Sequence, residues 1–372
     1  MLRMLSLFSG VGAFESALRR GGYDFRVINY CEIDPYAAKA YSQIHGISED
    51  YNLHDVRQVN TLLMDNVNLV TYGFPCQDIS CAGMQRGFVD NDGNRTRSGL
   101  FFEALRIIKE VQPKYAIAEN VKALTGKKFT AEFETVLTSL DKAGYNNYWK
   151  VLNAKDFGVP QNRERVFIVS IRKDIDKGTF SFPEKQPLTL MVKDLLEPVV
   201  DEKYYLYSEK SKQLIKQIIE NNVIKTRECV DATVFDPKVK KVSNCITARY
   251  DAGVQNQKSI GLCVIEKKVV FVGELNKHQR GGIFKDTGIA PCLTATDYKE
   301  PRSFLKTGDN PEDYQIRKLT PRECFRLMGF TDRDFDSIQG ISNTQLYKMA
   351  GNSIVVNVLE EIFRELFKAQ SR

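Results

Sequence analysis

The 372 residues are 42% apolar and 27% charged, enough for two or three domains with a sizeable core, which excludes a disordered chain, a collagen and a small disulfide scaffold. Apolar runs such as Ile354 to Val356 fall far short of the roughly 20 residues of a bilayer span, and Met1-Leu2-Arg3-Met4 lacks a signal peptide's apolar core, so an intracellular protein is expected. The net charge of +6, from 53 basic against 47 acidic residues, is too mild to signal nucleic acid by itself, although residues 221–290 concentrate twelve Lys/Arg against seven Asp/Glu.

In chain order, Leu2 to Phe8 reads as an apolar strand, and Phe14, Ala17 and Leu18 have helical spacing before Gly21-Gly22 stops that helix. Val27 to Cys31, Leu69 to Tyr72, Tyr115 to Ala118 and Val166 to Ile171 are further strand-like runs, with helical patterning over Leu100 to Lys109 and Phe133 to Ala143. Strand and helix taking turns predicts a parallel, doubly wound α/β sheet. After Pro183 the pattern changes to short β-prone pieces (Val230 to Phe235, Gly261 to Ile265, Val269 to Val272) with one helical stretch near Glu209 to Glu220, so residues 186–315 are expected to form a second domain. Within it, Asn244-Cys245-Ile246-Thr247-Ala248 is echoed by Pro291-Cys292-Leu293-Thr294-Ala295. Helical patterning then returns. Thr320-Pro321-Arg322-Glu323 is a helix start with N-cap, first-turn proline and capping-box glutamate, a structural device. Ser353 is expected to open a last helix, whose stripe of Ile354, Val355, Val358, Leu359, Ile362 and Leu366 needs the first domain's core to cover it.

The residues able to carry chemistry follow the carboxyl ends of the predicted strands, where open α/β sheets hold their ligands. Phe8-Ser9-Gly10-Val11-Gly12 follows the first strand and leads into a helix, so backbone can approach a nucleotide-like ligand. Glu32 lies 20 residues beyond Gly12, a spacing that suits a carboxylate gripping ribose hydroxyls. Glu15 stands where the third glycine of a dinucleotide fingerprint belongs, which favours a nucleoside without phosphates. Asp55 is either a turn residue or an acceptor for an adenine amino group.

Gly73-Phe74-Pro75-Cys76-Gln77 follows the third strand, and the proline fixes the backbone ahead of a loop cysteine. Cys76 needs a positive field or a helix N-terminus to act as a thiolate at neutral pH. The other cysteines, at 31, 81, 229, 245, 263, 292 and 324, form no C-x-x-C pair and no zinc-ligand cluster; they read as reduced thiols, and no metal site is expected. Glu119 ends the fourth strand, where a carboxyl in an apolar cleft can hand a proton to a ring nitrogen. Arg163 and Arg165 share a face if their segment is extended, and can orient Glu119 or a base carbonyl. The polar stretch from Cys76 to Leu100, with Gly83, Gly87, Gly93, Gly99, Arg86, Arg95 and Arg97, is a surface loop or a lid over the thiol.

Taken together these blocks resemble the DNA cytosine-5 methyltransferases of bacterial and phage type. The match runs through Phe8 to Gly12, Glu32-Ile33-Asp34, Asp55, Gly73 to Gln77, Glu119-Asn120-Val121, Gln161-Asn162-Arg163-Glu164-Arg165, Thr320 to Glu323 and Gly351-Asn352-Ser353, in the family's order. The resemblance implies a Rossmann-like S-adenosylmethionine-dependent methyltransferase fold, mostly parallel, with residues 1–185 and 316–372 as catalytic domain and 186–315 as target-recognition domain. It implies that Cys76 attacks C6 of a flipped-out cytosine while Glu119, with Arg165 and Arg163, acts at N3. It assigns the S-adenosylmethionine pocket to Phe8, Gly10, Gly12, Glu32, Ile33, Asp55, Pro75, Leu100, Asn352 and Ser353. It makes Gln77, Ser80, Arg86, Arg95 and Arg97 DNA contacts on a closing loop.

In the second domain the family's Thr-Leu-like pair is replaced by Cys292-Leu293-Thr294-Ala295, with the element at Cys245 competing for its place. Gln279 and Arg280 are the favoured base readers and Arg249 the second candidate. The expected partners are double-stranded DNA and a cognate restriction endonuclease held in no stable complex. The expected setting is the cytoplasm of a bacterial or phage-infected cell, and a monomer suffices, since a two-domain cleft grips a duplex without a second subunit. The alternatives are a tRNA cytosine-5 methyltransferase, a non-catalytic DNA-binding relative and a nicotinamide oxidoreductase; the missing third glycine disfavours the last.

Overall fold

Alternation of apolar side chains along each strand divides the core in two. The structure is a computed structural model that describes residues 1–64, 66–76, 78–79, 87–88, 95–205, 207, 209 and 314–371, with strand residues 227–231, 243–244, 262–267, 271–274, 282–285 and 303–305. Strands β1 (Leu2–Leu7), β2 (Phe25–Cys31), β3 (Leu69–Tyr72), β4 (Tyr115–Val121), β5 (Tyr145–Asn153) and β7 (Glu164–Arg172) form a six-stranded sheet in the order β2-β1-β3-β4-β7-β5. Met4, Leu69, Ile117 and Phe167 face one layer, built on helices α1 (Ala13–Arg20) and α2 (Pro35–His45) and the C-terminal helices. Leu5, Val70, Ala118 and Val166 face the other, built on α3 (Phe101–Val111) and α4 (Thr130–Lys142). Both faces are covered, so the central strands read as continuous apolar runs.

The helix boundaries follow local chemistry. Asp34 caps α2, its Oδ1 accepting from the N–H groups of Tyr36 at 3.0 Å and Ala37 at 3.4 Å, with Pro35 in the first turn and Gly46 closing it at φ 66°. The Thr320–Glu323 capping box forms as expected at the start of α5 (Pro321–Arg326): the Thr320 N–H donates to Glu323 Oε2 at 2.8 Å. The same carboxylate is also buried against Arg317, in two contacts of 2.9 Å.

The sheet is mostly parallel, as expected, with β7 alone running antiparallel to its neighbours β4 and β5. The structure corrects the sequence reading in two places. Strand β5 was not expected; at the sheet edge, with Asn146, Trp149 and Lys150 exposed, it has no continuous apolar run to announce it. Ser353 does not open the last helix but terminates α7 (Asn343–Asn352) at extended angles, α6 being Asp332–Asp336, and α8 begins at Val356. The reason lies across the chain: Arg163 Nη2 takes the carbonyls of Gly351 and Ser353, at 3.0 and 2.6 Å, as acceptors. The expected stripe is nonetheless buried, with Val358, Leu359, Ile362 and Leu366 at 2% exposure or less. Residues 186–205 form a strap against the C-terminal helices. Val192, Leu196 and Tyr204 join the core cluster of Phe325 and Leu359, and the Glu197 N–H donates to Glu323 Oε1 at 2.8 Å.

Beyond that strap, β8 (Arg227–Asp231) and β14 (Tyr314–Lys318) flank β10 (Leu262–Lys267) in an antiparallel sheet, near the expected strand positions. The short strands β6 (Gln161–Asn162) and β9 (Ser243–Asn244) pair, and β11 (Phe271–Glu274), β12 (Gly282–Lys285) and β13 (Ser303–Leu305) form a third small sheet. Apart from Glu209, the helix expected near Glu209 to Glu220 lies outside the described residues.

Candidate active site

Topology assembles the site. The parallel strands β1 to β4 release their chains at one edge of the sheet, on both sides of the point where the order reverses at β1. Because β7 is antiparallel, its beginning, with Arg165, lies at that same edge. Arg165 pairs across the ladder with Val121, on the same face as Glu119 two residues earlier. The Arg165 Nε thus meets Glu119 Oε1 at 3.0 Å.

A cavity of about 370 Å³ opens there, lined by the turn after β1, by Glu32 and Ile33 after β2, by Gly73 to Cys76 after β3, and by Glu119, Arg163 and Arg165. The turn needs left-handed backbone at Phe8 (φ 53°) and Gly10 (φ 55°). Glu32 braces it: one carboxylate oxygen accepts from the Gly10 N–H and the other from the Asp34 N–H, both at 2.8 Å. Asn52 in turn fixes Glu32, accepting from its N–H at 3.0 Å and donating to its carbonyl at 2.9 Å.

On the facing wall Cys76 is half-buried. Burial and then the Glu119 charge push its thiol up, outweighing the opposing pull of Arg165 and Arg163. The positive field anticipated from the sequence exists but does not prevail in the protein alone. Burial likewise raises the Glu119 carboxyl against the pull of the two arginines, which favours its neutral form. The loop is fixed from below by Asn120, whose side-chain amide donates to the Phe74 carbonyl at 3.0 Å.

The family model for C-5 cytosine-specific DNA methylases matches residues 2–368. The chain belongs to that family. The methyltransferase is 35% identical to the orphan methyltransferase M.SPRI of Bacillus phage SPR, the match covering 98% of this chain and 97% of the relative. It is 33% identical to the type II methyltransferase M2.ScrFI of Lactococcus lactis subsp. cremoris over the whole of both chains. Its fold resembles that of the Entamoeba histolytica methyltransferase EhMeth, with a TM-score of 0.67 at 18% identity, covering 99% of this chain and 98% of that one. A DNA (cytosine-5) methyltransferase on a Rossmann-like fold is therefore what these 372 residues encode.

Of the residues singled out in the sequence, Cys76, Glu119, Arg163 and Arg165 line the one cavity, together with Phe8, Gly10, Glu32, Ile33, Asp55, Pro75, Leu100, Asn352 and Ser353. Gly12 does not. It lies behind the turn at φ 79°, where a Cβ would stand 2.0 Å from His45 Nε2. Asp55 is already engaged, since Arg57 Nε lies 3.0 Å from each of its carboxylate oxygens, which holds its carboxyl below the usual range. Arg95 leans on Phe102 and pairs with Glu103 at 3.4 Å, and the Arg97 N–H donates to the buried Asp78 at 3.1 Å, so the return of the loop is pinned. Gln77, Ser80, Arg86, Arg249, Gln279 and Arg280 lie outside the described residues. Sequence reasoning gave no role to Asn52, Asn120 or the Lys348–Asp34 ion pair of 2.6 Å. Asn120 follows Glu119 directly and, by strand alternation, points the other way; for the remaining groups, distant partners leave no local signal.

Proposed function

We propose that the methyltransferase modifies C5 of a flipped-out cytosine in duplex DNA through a covalent bond between Cys76 and C6. One observation carries the reading: the Cys76 thiol and the Glu119–Arg165 pair line the same cavity as the Glu32-braced turn. The thiolate adds to C6 while the Glu119 carboxyl gives its proton to N3, leaving a carboxylate paired with Arg165 and an electron-rich C5. The two groups cooperate. A neutral Glu119 no longer opposes ionisation of Cys76, whereas Arg165 and Arg163 continue to favour it. After methylation, the C5 proton is lost to solvent, its bonding pair restores the C5–C6 double bond and expels the Cys76 thiolate, and N3 returns its proton to the Glu119 carboxylate.

S-adenosylmethionine, when bound, supplies the electrophilic methyl group that C5 takes. Phe8, Gly10, Glu32, Ile33, Asp55, Pro75, Leu100, Asn352 and Ser353 would hold it, with Glu32 on the ribose. The cavity fits such a molecule: the buried Ser9 hydroxyl has no hydrogen-bond partner among the described residues, and a Cβ on Gly10 would meet nothing within 4 Å. Ile33, 69% exposed, offers an apolar face to a base.

In this reading residues 1–185 and 316–372 form the catalytic domain and 186–315 the target-recognition domain, with the 186–205 strap docked on the former. Gln77, Ser80, Arg86, Arg95 and Arg97 contact DNA on a closing loop; Gln279 and Arg280, with Arg249, read bases. The enzyme works as a monomer in the cytoplasm and shields DNA from a restriction endonuclease that it does not stably bind. Transfer of labelled methyl from S-adenosylmethionine to duplex DNA tests the proposal, with label in wild type and none with Cys76→Ser expected. Undiminished label with the variant would overturn the covalent role, and preferential labelling of tRNA would overturn the substrate.

A further inference from the structure

The buried face of the cofactor turn is held by a second device. His45, the last residue of α2, sets its Nε2 3.1 Å from the Val11 carbonyl oxygen and its Nδ1 3.3 Å from Arg19 Nη1. A guanidinium can only donate hydrogen bonds, so Nδ1 must accept, and the ring's single proton sits on Nε2, where it is donated to Val11. Arg19 is itself fixed: Nη1 donates to the Ile44 carbonyl at 3.3 Å, and Nη2 meets Asp334 Oδ1 at 2.5 Å. Asp334 belongs to the capping box of α6, where its second oxygen accepts from the Thr331 N–H at 3.0 Å. The relay therefore runs from the C-terminal part of the chain through α1 and the end of α2 to the turn. The imidazole packs on Tyr41, ring centroids 4.7 Å apart, and the Tyr41 hydroxyl donates to the buried Glu15 at 2.9 Å. Gly12 is bare because this ring fills the space a side chain would take.

We infer that His45 is a positioning residue for the S-adenosylmethionine site: a neutral imidazole, locked as the Nε2–H tautomer by Arg19 and Asp334, that anchors the Val11–Gly12 peptide while Glu32 anchors Gly10. The turn is thus pinned on both sides, and its backbone geometry exists before any ligand arrives. Burial, which drives the ring's pKa down to about 4, keeps the imidazole in the neutral state this geometry requires. The inference rests on the assignment of the cavity to S-adenosylmethionine.

The test uses the full-length protein with His45→Gln and His45→Leu. Glutamine can donate to Val11 and accept from Arg19; leucine can do neither. His45→Leu is expected to raise the KM and Kd for S-adenosylmethionine about tenfold, the scale of one lost buried hydrogen bond, with kcat at saturating cofactor and duplex DNA affinity little changed. His45→Gln is expected to restore most of the affinity. Independently of any ligand, 15N NMR of the imidazole is expected to show a protonated Nε2 and a bare Nδ1 with no titration between about pH 5 and 8. An Nδ1–H tautomer, or a ring titrating at its ordinary value, would overturn the inference even if His45→Leu failed to fold. Wild-type protein that binds no S-adenosylmethionine would sink the cavity's assignment, whereas wild-type binding with an unaffected His45→Leu would sink this inference alone.

Discussion

The two walls of the cavity differ in how their ionisable groups are partnered. On the wall formed by β1 and β2 every carboxylate already has partners: Glu32 has two backbone N–H groups, Asp34 has Lys348, and Asp55 has Arg57. On the wall formed by β3, β4 and β7, burial holds both the Cys76 thiol and the Glu119 carboxyl toward their uncharged forms, close to two guanidiniums that favour the charged ones. The first wall is a finished mould, stabilised before anything binds. On the second, burial keeps the Glu119 carboxyl able to give a proton, and Cys76 remains a thiol until a neutral Glu119 leaves the two guanidiniums free to favour the thiolate.

The sharpest way to break the contrast is to remove the sulfur. Cys76→Ala is expected to abolish methyl transfer, by about 10⁴-fold or more, while leaving S-adenosylmethionine affinity intact, because the cofactor wall owes nothing to the thiol. Paired measurements of turnover and of cofactor binding by calorimetry check it; loss of both would mean that the walls are one unit.

Glu119→Gln comes next, with an expected loss of about 10²–10⁴-fold in kcat/KM at neutral pH, and its pH profile is more telling than its magnitude. The reactive combination is a neutral carboxyl with a thiolate, although the carboxyl is the stronger acid. The wild-type rate should therefore climb with pH until Glu119 titrates, above the ordinary carboxylate range, run flat, and fall only where Cys76 titrates, above the ordinary thiol range. With glutamine there is no proton to lose, so the rate should keep climbing through neutral pH. It should level off at a lower pH than the wild-type decline, since the charge that helped raise Cys76 has gone. A variant profile parallel to that of wild type would remove Glu119 from the proton transfer.

The contrast also explains what could be read in advance. The strands β1 to β4 were legible because both faces of the sheet are buried, which writes them as apolar runs, and the site was legible because their carboxyl ends coincide at one edge. What escaped was non-local. Edge strand β5 has a solvent face and no run. The end of α7 at Ser353 is dictated by Arg163, 190 residues away, and the bracing of Glu32 by Asn52 pairs groups 20 residues apart. A residue type can advertise a reaction, as Cys76 does after Pro75, but a brace is visible only when both ends are in place. Gly12 illustrates the cost: its bareness in sequence suggested room for a ligand, whereas in the fold the room is taken by His45.

On the cofactor wall the expected effects are smaller and fall on binding. Glu32→Gln replaces one carboxylate oxygen by an amide that cannot accept from Gly10 or Asp34, so S-adenosylmethionine affinity should fall about 10- to 100-fold with kcat at saturation nearly unchanged, as titrations followed by single-turnover rates can resolve. The smallest effect belongs to the ion pair between Lys348 of α7 and Asp34 at the start of α2, both of which line the cavity. Its side chains are 48% and 24% exposed, so solvent screening limits it to about 1 kcal/mol, and Lys348→Ala should weaken cofactor binding by about fivefold at most. The signature is salt. In wild type the affinity should drift toward that of Lys348→Ala as ionic strength rises and the pair is screened, whereas the buried hydrogen bonds of Glu32 should hold their contribution. A deficit in Lys348→Ala that persists at high salt would mean that the lysine serves the site by packing its alkyl chain, and that this wall is finished by contact as well as by charge.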